Sequence, residues 1–306
     1  MLTQRCQVGC ETEDVEGAAE TIEAADVFLA FNPKFTPSID PHERKPVKGS
    51  FSPVASLMGK RSAKMSFDVE MTGTAAAGSA IHFADALKAC GVDETLVALT
   101  SATYAPASDA IPSATLAMYL DGKCYKMWGA RGTAKLTLAT GKPGIWSFEF
   151  AGADFSETDA ALLTGTSLEA TLPPVFQDAT LTLAAYAATV ASVTLDLGNT
   201  VTLREDANAS SGYLSAVITD RKPTLSIDPE NVLVATEDFF GTWRAGTTVA
   251  LSSLHGATAG NKHTLTAPAV QYQGVDLSDR SGVSALSINA LLCEDSGDDE
   301  WQWQIN

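Results

Sequence analysis

Along much of the chain, apolar and polar residues alternate one for one. That is the period of a β-strand with one face in a core and the other in water. The clearest run is 64–71, where Met65, Phe67, Val69 and Met71 are apolar and Lys64, Ser66, Asp68 and Glu70 are polar. The pattern returns at 146–150, 193–197, 286–289 and 301–305. Asp121 and Gly122 separate two apolar-patterned segments and predict a tight hairpin turn. Further breakpoints fall at 141–144, at Gly198-Asn199 and at Gly274.

Helical spacing is scarce. One helix is predicted over about 80–90, with Ser79 as its cap, Phe83, Leu87 and Cys90 on one face, and Gly91 at its end. A second is predicted over about 237–245, capped by Thr236 and ended by Gly246. There Glu237 and Asp238 suit the positive end of the helix dipole, and Phe239, Phe240 and Trp243 give a bulky apolar face.

The two helices mark an internal repeat in the order of elements. An alternating strand precedes each, at 63–71 and 224–228. An apolar strand-like segment, a hairpin with glycine at its tip (Asp121-Gly122; 256–260) and two more strands follow each. Ahead of each helix lies a strand pair joined by a polar loop, at 42–48 in the first half and around 204–212 in the second. The fold class expected is mainly β: tandem duplicated sandwich or barrel units, each with one short flanking helix. The boundary falls between 151 and 174, because Pro173-Pro174 cannot continue a central strand. The expected division is an N-terminal segment 1–23, a first unit 24–165 and a second unit 166–306.

Composition adds that this is a real core in an acidic shell. The 306 residues are 45% hydrophobic and carry a formal net charge of −17. Such a surface repels phosphate backbones, so it does not grip nucleic acid, though it could line a path along which DNA slides. The N-terminus has neither the basic start nor the apolar stretch of a secretory signal. The most apolar stretch, 181–193, falls short of the roughly 18 residues a membrane span needs. A soluble, cytoplasmically made protein is expected. Cys6, Cys10, Cys90, Cys124 and Cys293 form an odd, scattered set that reads as reduced thiols. The spacing of Cys6 and Cys10 is weak evidence for a metal site without a second ligand pair.

No catalytic motif stands out. Gly141-Lys142-Pro143 and Gly59-Lys60-Arg61 lack the upstream glycine and the following hydroxyl of a phosphate loop, and Gly129-Ala130-Arg131-Gly132 reads as a turn. His42, His82, His255 and His263 form no helical zinc pair with a glutamate. No nucleophile-elbow glycine pattern is present. The acidic run 294–300 does not match a calcium-loop spacing and reads as a solvated turn before a last strand. Asn208-Ala209-Ser210 fits a glycosylation acceptor but, with no secretion signal, reads as a polar loop. No catalytic, cofactor or metal residues are assigned.

Several segments together resemble a family. They are Glu43-Arg44-Lys45-Pro46-Val47, Ser66-Phe67-Asp68-Val69-Glu70, Ala86-Leu87-Lys88-Ala89-Cys90-Gly91, Tyr119-Leu120-Asp121-Gly122-Lys123 and Gly129-Ala130-Arg131-Gly132. In the second half they are Leu195-Asp196-Leu197-Gly198-Asn199 and Ile218-Thr219-Asp220-Arg221-Lys222-Pro223. In order and spacing, over about 24–305, the series resembles the major tail (tail tube) proteins of long-tailed bacteriophages. The resemblance implies a structural virion protein of the tail, assembled in the host cytoplasm. It also implies β-sandwich or barrel units in rings of six that stack into a hollow tube, with DNA passing transiently through an acidic lumen. A long loop reaches the next ring, and the other partners are the tape measure, the tail terminator and the baseplate or tip. Two units per chain would make rings of three chains. The residues expected at inter-ring or inter-subunit contacts are His42, Glu43, Arg44, Lys45 and Lys48 in the first loop, and Arg204, Glu205, Asp206, Asp220 and Arg221 in the second half. The alternative reading is a β-sandwich binding module of a phage tail, with Trp301 and Trp303 as an exposed receptor or carbohydrate platform.

Overall fold

The computed structural model describes residues 2–74 and 76–306. Its first half holds β1 (Cys6–Thr12), β2 (Val27–Phe28), β3 (Phe31–His42), β4 (Leu57–Glu70), helix α1 (Ala84–Lys88), β5 (Val92–Val97), β6 (Ser101–Pro106), β7 (Ala114–Leu120), β8 (Lys123–Ala139), β9 (Ile145–Gly152) and β10 (Asp154–Asp159). The second half holds β11 (Thr180–Leu183), β12 (Val190–Asp196), β13 (Asn199–Glu205), β14 (Tyr213–Arg221), β15 (Thr224–Pro229), helix α2 (Phe239–Ala245), β16 (Thr248–His255), β17 (His263–Arg280), β18 (Val283–Cys293) and β19 (Gln302–Ile305). The molecule is mainly β, as the alternation predicts. The strands β13 and β14 form a separate hairpin, and the other seventeen join one continuous network.

The inward positions of the alternating runs make the core. In β4, Met65, Phe67 and Val69 are buried, facing Phe150, Phe148 and Trp146 of β9 in antiparallel register. Their rings lie 5.3 Å (Phe67–Phe148) and 5.8 Å (Phe67–Phe150) apart, close enough for aromatic attraction beyond plain burial. One contiguous cluster runs from Val8 to Ile305 and so includes residues of both halves. Asp121 and Gly122, both at positive φ, form the two-residue turn between β7 and β8.

Both helices are shorter than the sequence spacing predicts. The helix α1 begins at Ala84, and Ser79 does not cap it. The residues before it are held instead by Tyr104, whose hydroxyl accepts the Ile81 N–H at 3.1 Å. With Ala84, Ala86 and Leu87 all buried, α1 is a single wedge in the core. In α2 the cap is Asp238 and not Thr236: its carboxylate accepts the Gly241 N–H at 2.7 Å. Gly246 closes that helix in the left-handed conformation, as predicted. Only Phe239 of its bulky face is buried, while Phe240 and Trp243 reach the surface.

The two halves share a pairing scheme. In the first, β1 pairs β7, β3 pairs β4, β4 pairs β9, β7 and β9 pair β8, and β8 pairs β10. In the second, β11 pairs β16, β12 pairs β15, β15 pairs β18, β16 and β18 pair β17, and β17 pairs β19. The same six pairings recur in the same chain order. Two hairpins fall outside the scheme: β5–β6 follows α1, and β13–β14 interrupts the second half between β12 and β15.

The interruption has a local cause. In the first half, β3 and β4 run straight into a long hairpin. In the second, the strand path breaks at Gly198 and Pro223. Gly198 sits at φ 62°, and a Cβ there would lie 2.1 Å from the Lys222 carbonyl oxygen, so only glycine fits. Pro223 has no N–H for a ladder. The β13–β14 hairpin therefore turns away and lies across the first half's sheet, with Ser215 and Ala216 buried.

Glu13 ties the N-terminal segment into the same place. Its carboxylate, almost fully buried, accepts hydrogen bonds from the N–H of Gly17 (2.8 Å) and Gly129 (2.6 Å) and from the hydroxyls of Ser113 (2.5 Å) and Thr115 (3.0 Å). Replacing it, Glu13→Ala, strands four donors at once. The expected cost is about 3 kcal/mol, read as a lower urea midpoint with an unchanged slope. A loss under about 0.5 kcal/mol would show the carboxylate to be dispensable.

Candidate assembly surfaces

The first polar loop is the tip of an arm. The ladder between β4 and β9 ends at Ala63, but β3 and β4 stay paired out to His42 and Leu57. A two-stranded ribbon of five residues, about 15 Å long, thus leaves the sheet. Its loop, 43–56, extends it further. Every residue from 36 to 53 is exposed. Val47 and Phe51 are fully exposed, and Ile39, Leu57 and Met58 are largely so. His42 ends β3, and Glu43, Arg44, Lys45 and Lys48 follow it at the surface, with only a 3.2 Å Lys45–Glu43 pair among the ion pairs of the described residues there. Apolar side chains held out in water on a ribbon are unfavourable for an isolated chain and fit a docking element. Their signal in the sequence is apolar residues embedded in a Ser-, Pro- and Lys-rich stretch, which the polar reading of the loop passed over.

The second-half residues lie differently. Arg204 sits 3.9 Å from Glu16. Glu205 pairs with Lys60 of β4 at 2.5 Å, and this hydrogen bond holds the Lys60 ammonium above its ordinary pKa. Asp206 closes its own turn by accepting the Asn208 N–H at 2.8 Å. Arg221 is engaged within the chain: it donates to the Ala107 carbonyl (2.9 Å), to Asp298 (2.7 Å) and to Glu300 (2.8 Å). Asp220 is exposed and accepts the Arg221 N–H. The first loop is thus free, while the second hairpin is folded on its own chain.

That folded hairpin braces the base of the arm. Lys60 lies over the Tyr213 ring at 5.2 Å, and the Arg61 N–H donates to the Ser211 carbonyl at 3.0 Å. The Arg61 guanidinium makes a bidentate contact with the buried carboxylate of Asp154 at 2.6 and 2.9 Å. Deeper in, Glu16 accepts from Arg131 (2.8 Å) and Ser215 (2.7 Å), and these bonds lower its pKa. Arg131 also donates to the Ala216 carbonyl. A charge-assisted, bidentate set of this kind fixes direction as well as adding energy, so the arm leaves the body at a defined angle.

The remaining candidate chemistry is absorbed by the fold. Trp301 and Trp303 are buried, so they offer no sugar platform. His263 stacks on Trp303 at 5.7 Å and accepts its indole N–H at 3.2 Å, and His255 stacks on His263 at 5.5 Å. In the acidic run, Asp298 and Glu300 bind Arg221, and Asp299 accepts the N–H groups of Asp295 and Ser296. All five cysteines are free thiols. Among the described residues, no helix is long and apolar enough to cross a membrane.

A family model described as phage tail tube protein matches residues 3–289 of the chain. No curated protein matches it.

Proposed function

The chain belongs to the phage tail tube protein family, and from that premise we propose that three copies form each ring of the tube, with six pseudo-equivalent units around the lumen. The family is structural and non-enzymatic, self-assembles into a tube with other tail proteins, and places this chain in the virion tail. The repeated pairing scheme supports reading 24–165 and 166–306 as tandem units, with 1–23 supplying β1 to the first. The observation that carries the assembly reading is the braced arm with Val47 and Phe51 fully in water. It suits a contact from one ring to the next, with Arg44, Lys45 and Lys48 meeting acidic surface on a neighbour. Such charge pairing sets register more than raw affinity. The net charge of −17 suits a lumen through which DNA passes without adhering. Tape-measure, terminator and baseplate or tip proteins are the expected further partners, and assembly takes place in the host cytoplasm. Negative-stain microscopy of the purified chain, with mass photometry of any rings, tests this. Hollow tubes and rings of three chains are expected. Rings of six chains would overturn the stoichiometry, and a monomer at every concentration and salt would overturn self-assembly.

A further inference from the structure

Resting on that reading of the chain as a subunit of stacked rings, we propose the surface on which each arm lands. It lies at the end of the second unit opposite the arm, where Leu233, Val234 and Val283 stand in water near Asp276 and Asp279. Its occupant is the arm tip of a second copy in the next ring.

Arm and landing surface sit at opposite ends of one sheet. Strands β4, β9, β8, β12, β15, β18 and β17 pair side by side in that order, all antiparallel. The arm leaves beyond Ala63, which faces Gly152. Followed across the ladders, that end passes through Arg131, Asp196 and Thr224 to Leu291. The other end runs from Glu70 and Ile145 through Thr137, Ser192 and Pro229 to the β17–β18 turn, where Arg280 faces Val283. Strands of a closed sheet share one tilt to its axis, so around a lumen these two ends stay on opposite rims.

The landing surface is built from two turns tied together. Leu233 and Val234, 79% and 71% exposed, lie in the turn before α2. The Leu233 carbonyl accepts the N–H groups of Thr236 (2.7 Å) and Glu237 (3.1 Å), which fixes that turn. Just ahead of it, Asn231 donates its backbone N–H to the Ser284 carbonyl at 3.0 Å and its side-chain amide to the Ser284 hydroxyl at 3.2 Å. Exposed Val283 therefore belongs to the same surface. The Arg280 guanidinium is held by Asp228 (3.3 Å) and Glu230 (3.7 Å), while Asp276 and Asp279 remain exposed. The surface is apolar with an acidic rim.

The arm tip is its complement. It presents Val47 and Phe51 in water, with Arg44, Lys45 and Lys48 against a single acidic residue, Glu43, over 43–56. Apolar groups meet apolar groups, and the charges set the register. The first-unit counterpart of the β17–β18 turn is the β8–β9 turn, and it is already occupied. Gly141 donates to the Phe176 carbonyl at 3.2 Å, Phe176 returns its N–H to the Lys142 carbonyl at 2.8 Å, and Lys142 repels a basic tip. Leu99, 88% exposed in the β5–β6 turn, offers apolar surface too, but residues 95–101 carry no charge. Since only the first unit's hairpin projects, each chain has one arm and one landing surface. The contact is head-to-tail between opposite ends, so repeating it gives an open-ended stack.

The test is complementation between two variants. The double variant Leu233→Glu with Val234→Glu should melt within about 2 °C of the parent, because both side chains are in water in the isolated chain. It should still form rings, and tubes should need about thirtyfold more protein or fail to appear. Leu99→Glu should form tubes like the parent. A chain lacking 43–56 keeps the landing surface and loses the arm; the double variant keeps the arm and loses the landing surface. Each alone should stop at single rings. Rings of the two, formed separately and then mixed, should join in pairs and grow no further, which microscopy and mass photometry read directly. Normal tubes from the double variant, loss of its rings, or a mixture without paired rings would each overturn this surface while leaving tubes of the parent, and the reading they support, intact. A parent that forms no tubes would overturn that reading and this surface with it.

Discussion

A chain lacking residues 43–56, with His42 joined to Leu57 through a two-residue turn, should fold normally and no longer polymerise. The fold is spared because the deleted stretch is exposed through residue 53 and again at residue 55, with only Val54 and Ser56 partly covered. Losses at such positions stay within about 0.5 kcal/mol. Shortening the closure from fourteen residues to two even favours the hairpin, by about 1–2 kcal/mol of loop entropy. The brace at Lys60, Arg61 and Asp154 lies below the cut and is untouched. Assembly, in contrast, loses every apolar group at the arm's tip. Burying one phenylalanine side chain is worth about 2–3 kcal/mol, so Phe51→Ser alone should raise the concentration needed for tubes about thirtyfold or more. Circular dichroism melts and microscopy read the two effects separately. Normal tubes from the deletion would remove the arm from the inter-ring contact.

Acid should weaken the subunit from about pH 6.5 downward, well above the range where most carboxylates titrate. Burial pushes His255 down to about 4 and His263, with the charge of His255 beside it, to about 3. An unfolded chain takes up these protons near pH 6.5, whereas the folded chain resists them. The unfolded state thus binds more protons across that window, and stability falls as pH falls. At pH 4.5 each imidazole has lost about two units of differential protonation, for a combined effect on the order of 5 kcal/mol. Glu11 works the other way. Burial and the nearby Asp85 and Asp26 raise its pKa to about 7, so its carboxylate disfavours folding increasingly as pH rises from about 4.5 to 7. That group is only partly buried, so solvent screening limits its share and it offsets only part of the histidine effect. Glu16, held low by Arg131 and Ser215, adds a loss only at lower pH still. Urea titrations at pH 7.5, 6 and 5 give the slope. His255→Leu should roughly halve it and leave the pH 7.5 stability unchanged or slightly higher, since neither ring nitrogen of His255 has a hydrogen-bond partner among the described residues. A stability independent of pH between 7.5 and 5 would refute this account.

The candidate site was only partly legible. The charged half of the arm, His42 to Lys48, stands out because a polar, proline-bearing loop between two alternating strands has no core to join. Val47, Phe51 and Met58 were missed because apolar residues in a loop carry no period, and whether they are covered is a tertiary question. Arg221 reads as a free surface charge until the fold brings Asp298 and Glu300 beside it, more than seventy residues away in sequence. Trp301 and Trp303 fit an exposed ladder or a core equally well by alternation, which fixes that two residues share a face and not which face is wet.

What the sequence determined by itself was local. The alternation at 64–71 and 146–150 made strands, because a two-residue period has one geometry that buries it. Asp121-Gly122 made a hairpin, because that turn needs positive φ. Gly246 ended a helix for the same reason. What only the tertiary structure decided was which of two corresponding elements meets a partner inside the chain. One hairpin projects and the other folds back at Gly198 and Pro223, and the end of β8 is covered by β12 while Leu277 of β17 stays in water. Those outcomes depend on surfaces brought together from distant parts of the chain, and a strand edge looks the same in sequence whether its neighbour is another strand of the same molecule or of the next.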